Sequence, residues 1–168
     1  MSQTIFHLCE WLESTALGVL VRESLWGFQI LVAVHIIGLA FSAGIVVWLD
    51  LRLLGVSMRG VPVSSVYRRL MPLAFAGFAI MFASGGMLVT GFATSAYRNP
   101  YFRVKAAALL LAGLNAFMYH VNVERSIAWW DRSPSPPLLA RMAGIISITL
   151  WATVILAGRL VSYTLYSP

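Results

Sequence analysis

The stretch that decides the fold runs from residue 25 to residue 49 and reads LWGFQILVAVHIIGLAFSAGIVVWL. It contains no Asp, Glu, Lys or Arg, and it is longer than the roughly 20 apolar residues that a helix needs to cross a bilayer. One titratable side chain, His35, lies near its middle. A titratable group at that depth is costly, so the sequence points to a function for His35.

Three further apolar stretches have lengths suitable for crossing a membrane, at residues 71–92, 104–121 and 142–160. Residues 3–20 precede the first span and place apolar side chains at helical spacing, which predicts an amphipathic helix lying in the membrane interface. Short polar connections follow the first three spans, so neighbouring helices are expected to be antiparallel. The sequence therefore predicts an all-α fold, a four-transmembrane-helix bundle with an N-terminal amphipathic interfacial helix.

The composition fits the same class. Hydrophobic residues make up 60% of the 168 residues and charged residues only 11%, which leaves too little polar surface for a soluble domain of this length. No linker or low-complexity tract interrupts the chain, so residues 1–168 are expected to form a single integral membrane domain. The net charge of +6 comes from residues at the ends of apolar runs, which argues against a nucleic-acid partner.

The distribution of basic residues gives an orientation. One face is expected to hold Arg52, Arg59, Arg68, Arg69, Arg125, Arg132 and Arg141, and the other Arg22, Arg98, Arg103, Lys105 and Arg159. Under the positive-inside rule this imbalance places both termini on the periplasmic side of a bacterial inner membrane.

His35 has two interpretations. It is either a neutral histidine that joins two helices by a hydrogen bond or an axial ligand to a haem iron, because bundle cores commonly hold cofactors between facing helices. The sequence lacks a CxxCH attachment motif, so any haem would be a non-covalent haem b, with one or two per chain.

The third span adds two further candidates, Lys105 and His120, which can face one bundle interior at different depths. The alternatives are that Lys105 extends to the interface and that His120 makes an interfacial hydrogen bond. A depth count makes His35 and His120 a poor pair for one iron and places Lys105 roughly 9 Å shallower than His35. Methionines provide other second ligands if each histidine holds its own haem: Met71, Met81, Met87, Met118 and Met142.

Arginines near one face, Arg52 among them, can pair with haem propionates or with lipid phosphates. Asp50 and Glu124 lie near the same face and are expected to neutralise these arginines.

Several of these residues also carry a family resemblance. His35, Ala43-Gly44, Arg52 and Lys105 resemble the pattern of HemJ-type protoporphyrinogen oxidases and of CopD-like membrane domains. The segments Trp11-Leu12-Glu13, Asp50-Leu-Arg-Leu-Leu-Gly55 and Asn99-Pro-Tyr-Phe-Arg-Val-Lys105 also resemble a bacterial family of small four-helix membrane proteins. The first resemblance implies a haem b ligated by His35, with Lys105 as a candidate second ligand, in a bundle that transfers electrons or oxidises a porphyrinogen.

The leading functional expectation is a b-type cytochrome that passes electrons between quinone or a periplasmic partner and another redox protein. One alternative is an accessory subunit or oligomer in a larger membrane complex, whose histidines only join helices. Another is a copper-handling protein, suggested by seven methionines and three histidines.

Overall fold

The computed structural model describes residues 2–122, 127–133 and 135–165, and every regular element in these ranges is a helix. The helices are α1 (Ser2–Ser14), α2 (Ala16–Glu23), α3 (Gly27–Leu53), α4 (Val63–Gly91), α5 (Ala93–Arg98), α6 (Pro100–Asn122), α7 (Ile127–Trp130) and α8 (Leu138–Leu165).

Four of these helices, α3, α4, α6 and α8, are long and apolar enough to cross a membrane. The chain is therefore a multi-pass membrane protein, and the predicted all-α, four-span fold is confirmed. Each of these helices extends beyond its predicted apolar stretch at one end or both, because a helix can continue into the polar interface after its hydrophobic stretch has ended, although α3 begins two residues later and α4 ends one residue earlier than predicted. The clearest case is α4, which begins at Val63 rather than near residue 71.

The N-terminal segment differs from the single helix predicted at residues 3–20, because it breaks at Thr15 into α1 and α2. The hydroxyl of Thr15 donates to the carbonyl of Leu12 and accepts from the backbone N–H of Gly18, so it ends one helix and caps the next. Gly18 then allows α2 to pack closely on α4, since an added Cβ would lie 2.8 Å from the carbonyl oxygen of Thr90.

The transmembrane helices pack in the order α4, α3, α8, α6. Close backbone packing joins α3 to α4, α3 to α8 and α6 to α8, whereas α6 lacks it with both α3 and α4 within the described residues. We call the side between α4 and α6 the open side of the bundle. A central core still draws on all four helices: Ala43, Met81, Ala108, Ala112, Trp151 and Val154.

Glycines set the tightest of these contacts. An added Cβ at Gly38 would lie 2.8 Å from the backbone nitrogen of Met81, and one at Gly77 would lie 2.7 Å from that of Ser42. Real Cβ atoms do not approach a backbone so closely, so α3 and α4 meet nearly backbone to backbone. Small residues at such crossings are typical of membrane bundles, where dispersion contacts largely replace the hydrophobic driving force.

Asn99 fixes the start of α6, the helix that carries Lys105. Its side-chain oxygen accepts from the backbone N–H groups of Tyr101 and Phe102, and its amide nitrogen donates to the hydroxyl of Thr164 on α8. This capping sets the depth of α6 relative to α8.

Candidate functional site

His35 lies on the side of α3 that faces α4. Its Nδ1 is 3.1 Å from the hydroxyl oxygen of Ser84, and the backbone carbonyl of Met81 also lies within hydrogen-bond reach of the ring. The hydroxyl of Ser84 has one proton, which it donates to the carbonyl of Ile80 at 2.6 Å. With the hydroxyl proton on that carbonyl, the oxygen of Ser84 is available to accept from Nδ1–H, an arrangement in which neutral His35 keeps a lone pair on Nε2.

The Nε2 atom of His35 has no hydrogen-bond partner within the part of the chain that the structure describes. The contact at Nδ1 is the one that an interhelical histidine would make. It is also the contact through which metal-ligating histidines are held, with the second ring nitrogen free for the metal. The bond to Ser84 alone does not distinguish the two interpretations, but a free Nε2 is required only by the second.

Gly85 forms the surface beneath the ring. A Cβ atom added at position 85 would lie 3.0 Å from Cε1 and 3.3 Å from Nδ1 of His35, tighter than ordinary van der Waals contact. The half-buried imidazole is thus held against α4 by Ser84 and by the bare backbone of Gly85.

Lys105 on α6 is close enough to His35 for their charges to interact. Its side chain is half-buried and lies along Gly158 of α8, with Nζ 3.5 Å and Cδ 3.7 Å from the position that a Cβ would occupy there. Within the described residues, Nζ has no hydrogen-bond or ion-pair partner. Of the four predicted site residues, His35 and Lys105 thus lie in the same half of the bundle, within range of a charge–charge interaction.

His120 is not part of this pair. It lies exposed near the C-terminal end of α6, fifteen residues and roughly 22 Å along the helix axis from Lys105. Because His35 lies eight residues from the start of α3 and His120 twenty from the start of the parallel helix α6, the two histidines differ in depth by roughly 18 Å.

Arg52 is fully buried at the C-terminal end of α3. Its Nε donates to the carbonyl of Val61 at 2.9 Å and its Nη2 to that of Ser133 at 3.3 Å. Only Nη1 lacks a partner among the described residues. The sequence places Arg52 among headgroups or propionates, whereas the structure shows that its guanidinium joins the connection after α3 to the connection before α8.

Asp131 completes this junction. Its carboxylate accepts from both the backbone N–H and the hydroxyl of Ser64 at 2.7 Å, so it caps the first turn of α4. Partial burial opposes ionisation, but the hydrogen bonds from Ser64 and the nearby charges of Arg132 and Arg52 outweigh it and lower the pKa of Asp131.

The expectation that Asp50 neutralises the arginines is wrong. Asp50 is buried against α8, where Ser147 donates to it, and its Oδ2 has no partner among the described residues. No described arginine lies within ion-pair distance of it. The α3 helix turns Asp50 toward α8 and Arg52 toward the connections, since residues two apart lie on different helix faces. Glu124 lies outside the described residues.

Metal-ligand clusters and cavities add no second candidate. Within the described ranges, no three His, Cys, Asp or Glu side chains gather into a metal site. Surface cavities of about 430 and 410 Å³ lie away from His35, one beside Phe6 and Tyr97 and the other beside Met58 and Arg69.

Comparison with known proteins gives a family match that covers nearly the whole chain. Residues 8–164 match the model of DUF6644, a family of unknown function. The chain belongs to the DUF6644 family. No curated protein and no solved structure matches it. The family match gives no role for His35 or Lys105, so any role proposed for them rests on the geometry of this chain.

Proposed function

We propose that the protein is a b-type haem-binding membrane protein in which His35 is an axial ligand. The single observation that carries the proposal is the environment of His35, whose Nδ1 is occupied by Ser84 and whose Nε2 has no described partner. Such an arrangement orients a histidine ligand before the metal is bound.

The position of the pair supports the proposal. His35 and Lys105 lie within electrostatic reach of each other, on α3 and α6, two helices that lack close backbone packing with each other within the described residues. A planar cofactor needs such a gap, since bundle cofactors lie between facing helices. When bound, the haem supplies one-electron chemistry, and the chain supplies the ligand and apolar surroundings that set the potential.

Arg52 and His120 lie near the other membrane face and are not assigned to the haem site. The donors of Arg52 are engaged by the carbonyls of Val61 and Ser133, apart from Nη1, and Arg52 lies about 25 Å along α3 from His35. His120 is separated from Lys105 by most of the length of α6. The proposal therefore uses one haem per chain, held by His35 and contacted by Lys105.

The proposed activity is electron transfer between quinone or a periplasmic partner and another redox protein, in a bacterial inner membrane with both termini periplasmic. The orientation rests on the excess of arginines on the face of Arg52. Porphyrinogen oxidation, which the resemblance to HemJ-type enzymes implies, would use the same His35.

The deciding measurement is an absorption spectrum of the detergent-solubilised full chain, oxidised and then reduced with dithionite, with a pyridine haemochrome count. We expect a Soret band and one haem per chain. The variant His35→Ala should lose most of that band, whereas His7→Ala, which alters the exposed histidine that pairs with Glu10, should keep it.

An unchanged spectrum in His35→Ala contradicts the proposal. So does a wild-type protein that stays colourless after titration with haemin. A colourless protein that co-purifies with a stable membrane complex would instead establish the accessory-subunit interpretation.

A further inference from the structure

We propose that Lys105 is the carboxylate-binding end of the His35 site, so that the site selects a ring or other amphiphile that carries carboxylates at one edge. This inference rests on the proposed function for the identity of the ligand, but its test does not require iron.

The depth of Lys105 determines which end of a ligand its ammonium group can contact. Lys105 is five residues into α6, about 8 Å from its start, and His35 is eight residues into α3, about 12 Å from its start. Both starts lie at the membrane face that also holds the chain termini. A ligand that contacts both residues would therefore place its anionic edge near the headgroups and its apolar body deeper.

The side chain of Lys105 runs toward α8. Lys105 lies along Gly158 instead of projecting past Arg103 toward the interface, since its Nζ, Cε and Cδ all lie 3.5 to 3.7 Å from the Cβ position of Gly158. The absence of a side chain at Gly158 makes the room for this path.

The carboxylates of the described residues do not balance the charge of Lys105. Asp50 is the only carboxylate in the four candidate spans, and it lies fifteen residues, roughly 22 Å, from His35 along α3. The described carboxylates at the face of Lys105 are engaged elsewhere: Glu10 with His7, Glu13 with Thr94 and Glu23 with Arg22. The neighbouring cations Arg103 and Arg159 contact Tyr97 and Tyr163.

No described acid lies within ion-pair distance of Lys105. A cation inside a span is expensive unless it is paired, so the site lacks a negative charge that a ligand can supply. A carboxylate suits an ammonium, because charge-assisted hydrogen bonds are the strong ones and Lys has three donors.

The test compares protoporphyrin IX, which has two carboxylates and no iron, with its dimethyl ester, by fluorescence titration of the haem-free full chain in detergent. We expect wild type to bind the acid at least about tenfold more tightly than the ester, the effect of one charge-assisted contact. The variant K105M should lose this preference, whereas K105R and the neighbouring control R103Q should keep it.

The variant H35A should keep the preference for the acid, because the probe has no metal for the imidazole to ligate. A wild-type protein that binds acid and ester equally overturns the inference, and so does K105M with an undiminished preference. Displacement of the porphyrin by phosphatidylglycerol in wild type but not in K105M would assign Lys105 to a lipid phosphate and would also overturn it.

The two proposals can fail separately. If H35A leaves the haem spectrum intact while K105M abolishes the acid preference, the ligand role of His35 fails and the role of Lys105 stands. The reverse pattern removes Lys105 alone.

Discussion

The imidazole of His35 lies against the bare backbone of Gly85, whose added Cβ would be 3.0 Å from Cε1. The ring therefore has no room to accept a methyl group from α4, and an alanine at position 85 would have to shift the ring or the helix. The adjacent Gly86 has open space around the same position.

Gly85→Ala should therefore lower haem affinity by roughly tenfold, the lower end of what lost support of a metal ligand costs. Gly86→Ala is the matched control and should bind as wild type does. Haem titration of the two haem-free variants measures the difference, and equal affinities would show that Gly85 does not position the ring.

Ser84→Ala should remove the acceptor of the Nδ1–H group without creating a clash. We expect haem binding to weaken by about 10-fold to 100-fold and the midpoint potential to shift, because the hydrogen bond to the second nitrogen tunes the donor strength of the ligand. Ser84→Thr keeps a hydroxyl and should restore much of both. A potential that is the same in all three proteins would reduce Ser84 to a packing residue.

Arg52→Met should destabilise the protein, because the carbonyls of Val61 and Ser133 would lose a charged donor in a buried position. Losses of about 2–4 kcal/mol are expected for such a network. The measurement is chemical unfolding in detergent, with Arg68→Met as the control because Arg68 is exposed on α4. Equal unfolding free energies for both variants would contradict the structural role of Arg52.

The hydrogen bonds to Asp131 predict a pH dependence. Its pKa is lower in the folded state than its ordinary value of 3.8, so the folded state favours the carboxylate. The resulting stabilisation is fully present above the unfolded pKa and is lost as pH falls through the folded pKa. The melting temperature should thus decrease below about pH 4 in part through this group.

Asp131→Asn tests this assignment, since the amide keeps one acceptor for Ser64 but does not titrate. Its melting temperature should be lower than that of wild type at pH 7, and the two should converge as the pH falls. A constant difference between pH 7 and pH 3 would be inconsistent with a carboxylate cap.

Gly77→Ala should separate α3 from α4, because its Cβ would meet the backbone of Ser42 at 2.7 Å and backbone atoms cannot rotate away. A loss of about 1–3 kcal/mol is typical of such overpacking. Gly113→Ala on α6, where nothing lies within 4 Å, should leave stability near that of wild type. Equal stability of the two variants would show that the α3–α4 crossing tolerates a methyl group.

The sequence predicted the four spans because their apolar length is dictated by bilayer thickness, which requires no tertiary information. A residue count also converts directly to depth and places Lys105 roughly 9 Å shallower than His35, whereas the helix starts at Gly27 and Pro100 reduce this difference to roughly 4 Å. The same count could have found Ser84. It lies seven residues before the end of α4, and His35 lies eight after the start of its antiparallel neighbour α3.

The burial of Arg52 could not be predicted in this way. Its inward turn depends on the path of residues 54–62, where Gly55 and Met58 have positive φ angles of 71° and 48°. Gly adopts a positive φ angle readily, but Met rarely does, so the conformation of Met58 could not be predicted from the residue type. The break at Thr15 has the same character, because a threonine within an amphipathic pattern caps a helix only when the chain turns there.

The capping of α4 by Asp131 has a consequence for biosynthesis. Ser64 and Asp131 are 67 residues apart in the chain, so the first turn of α4 leaves the ribosome well before the carboxylate that completes it. Until the third apolar segment has been synthesised and inserted, the connection between the first two must remain without its final hydrogen bonds. The start of α4 is therefore completed only after the third span has been made, by a polar contact formed at the membrane surface.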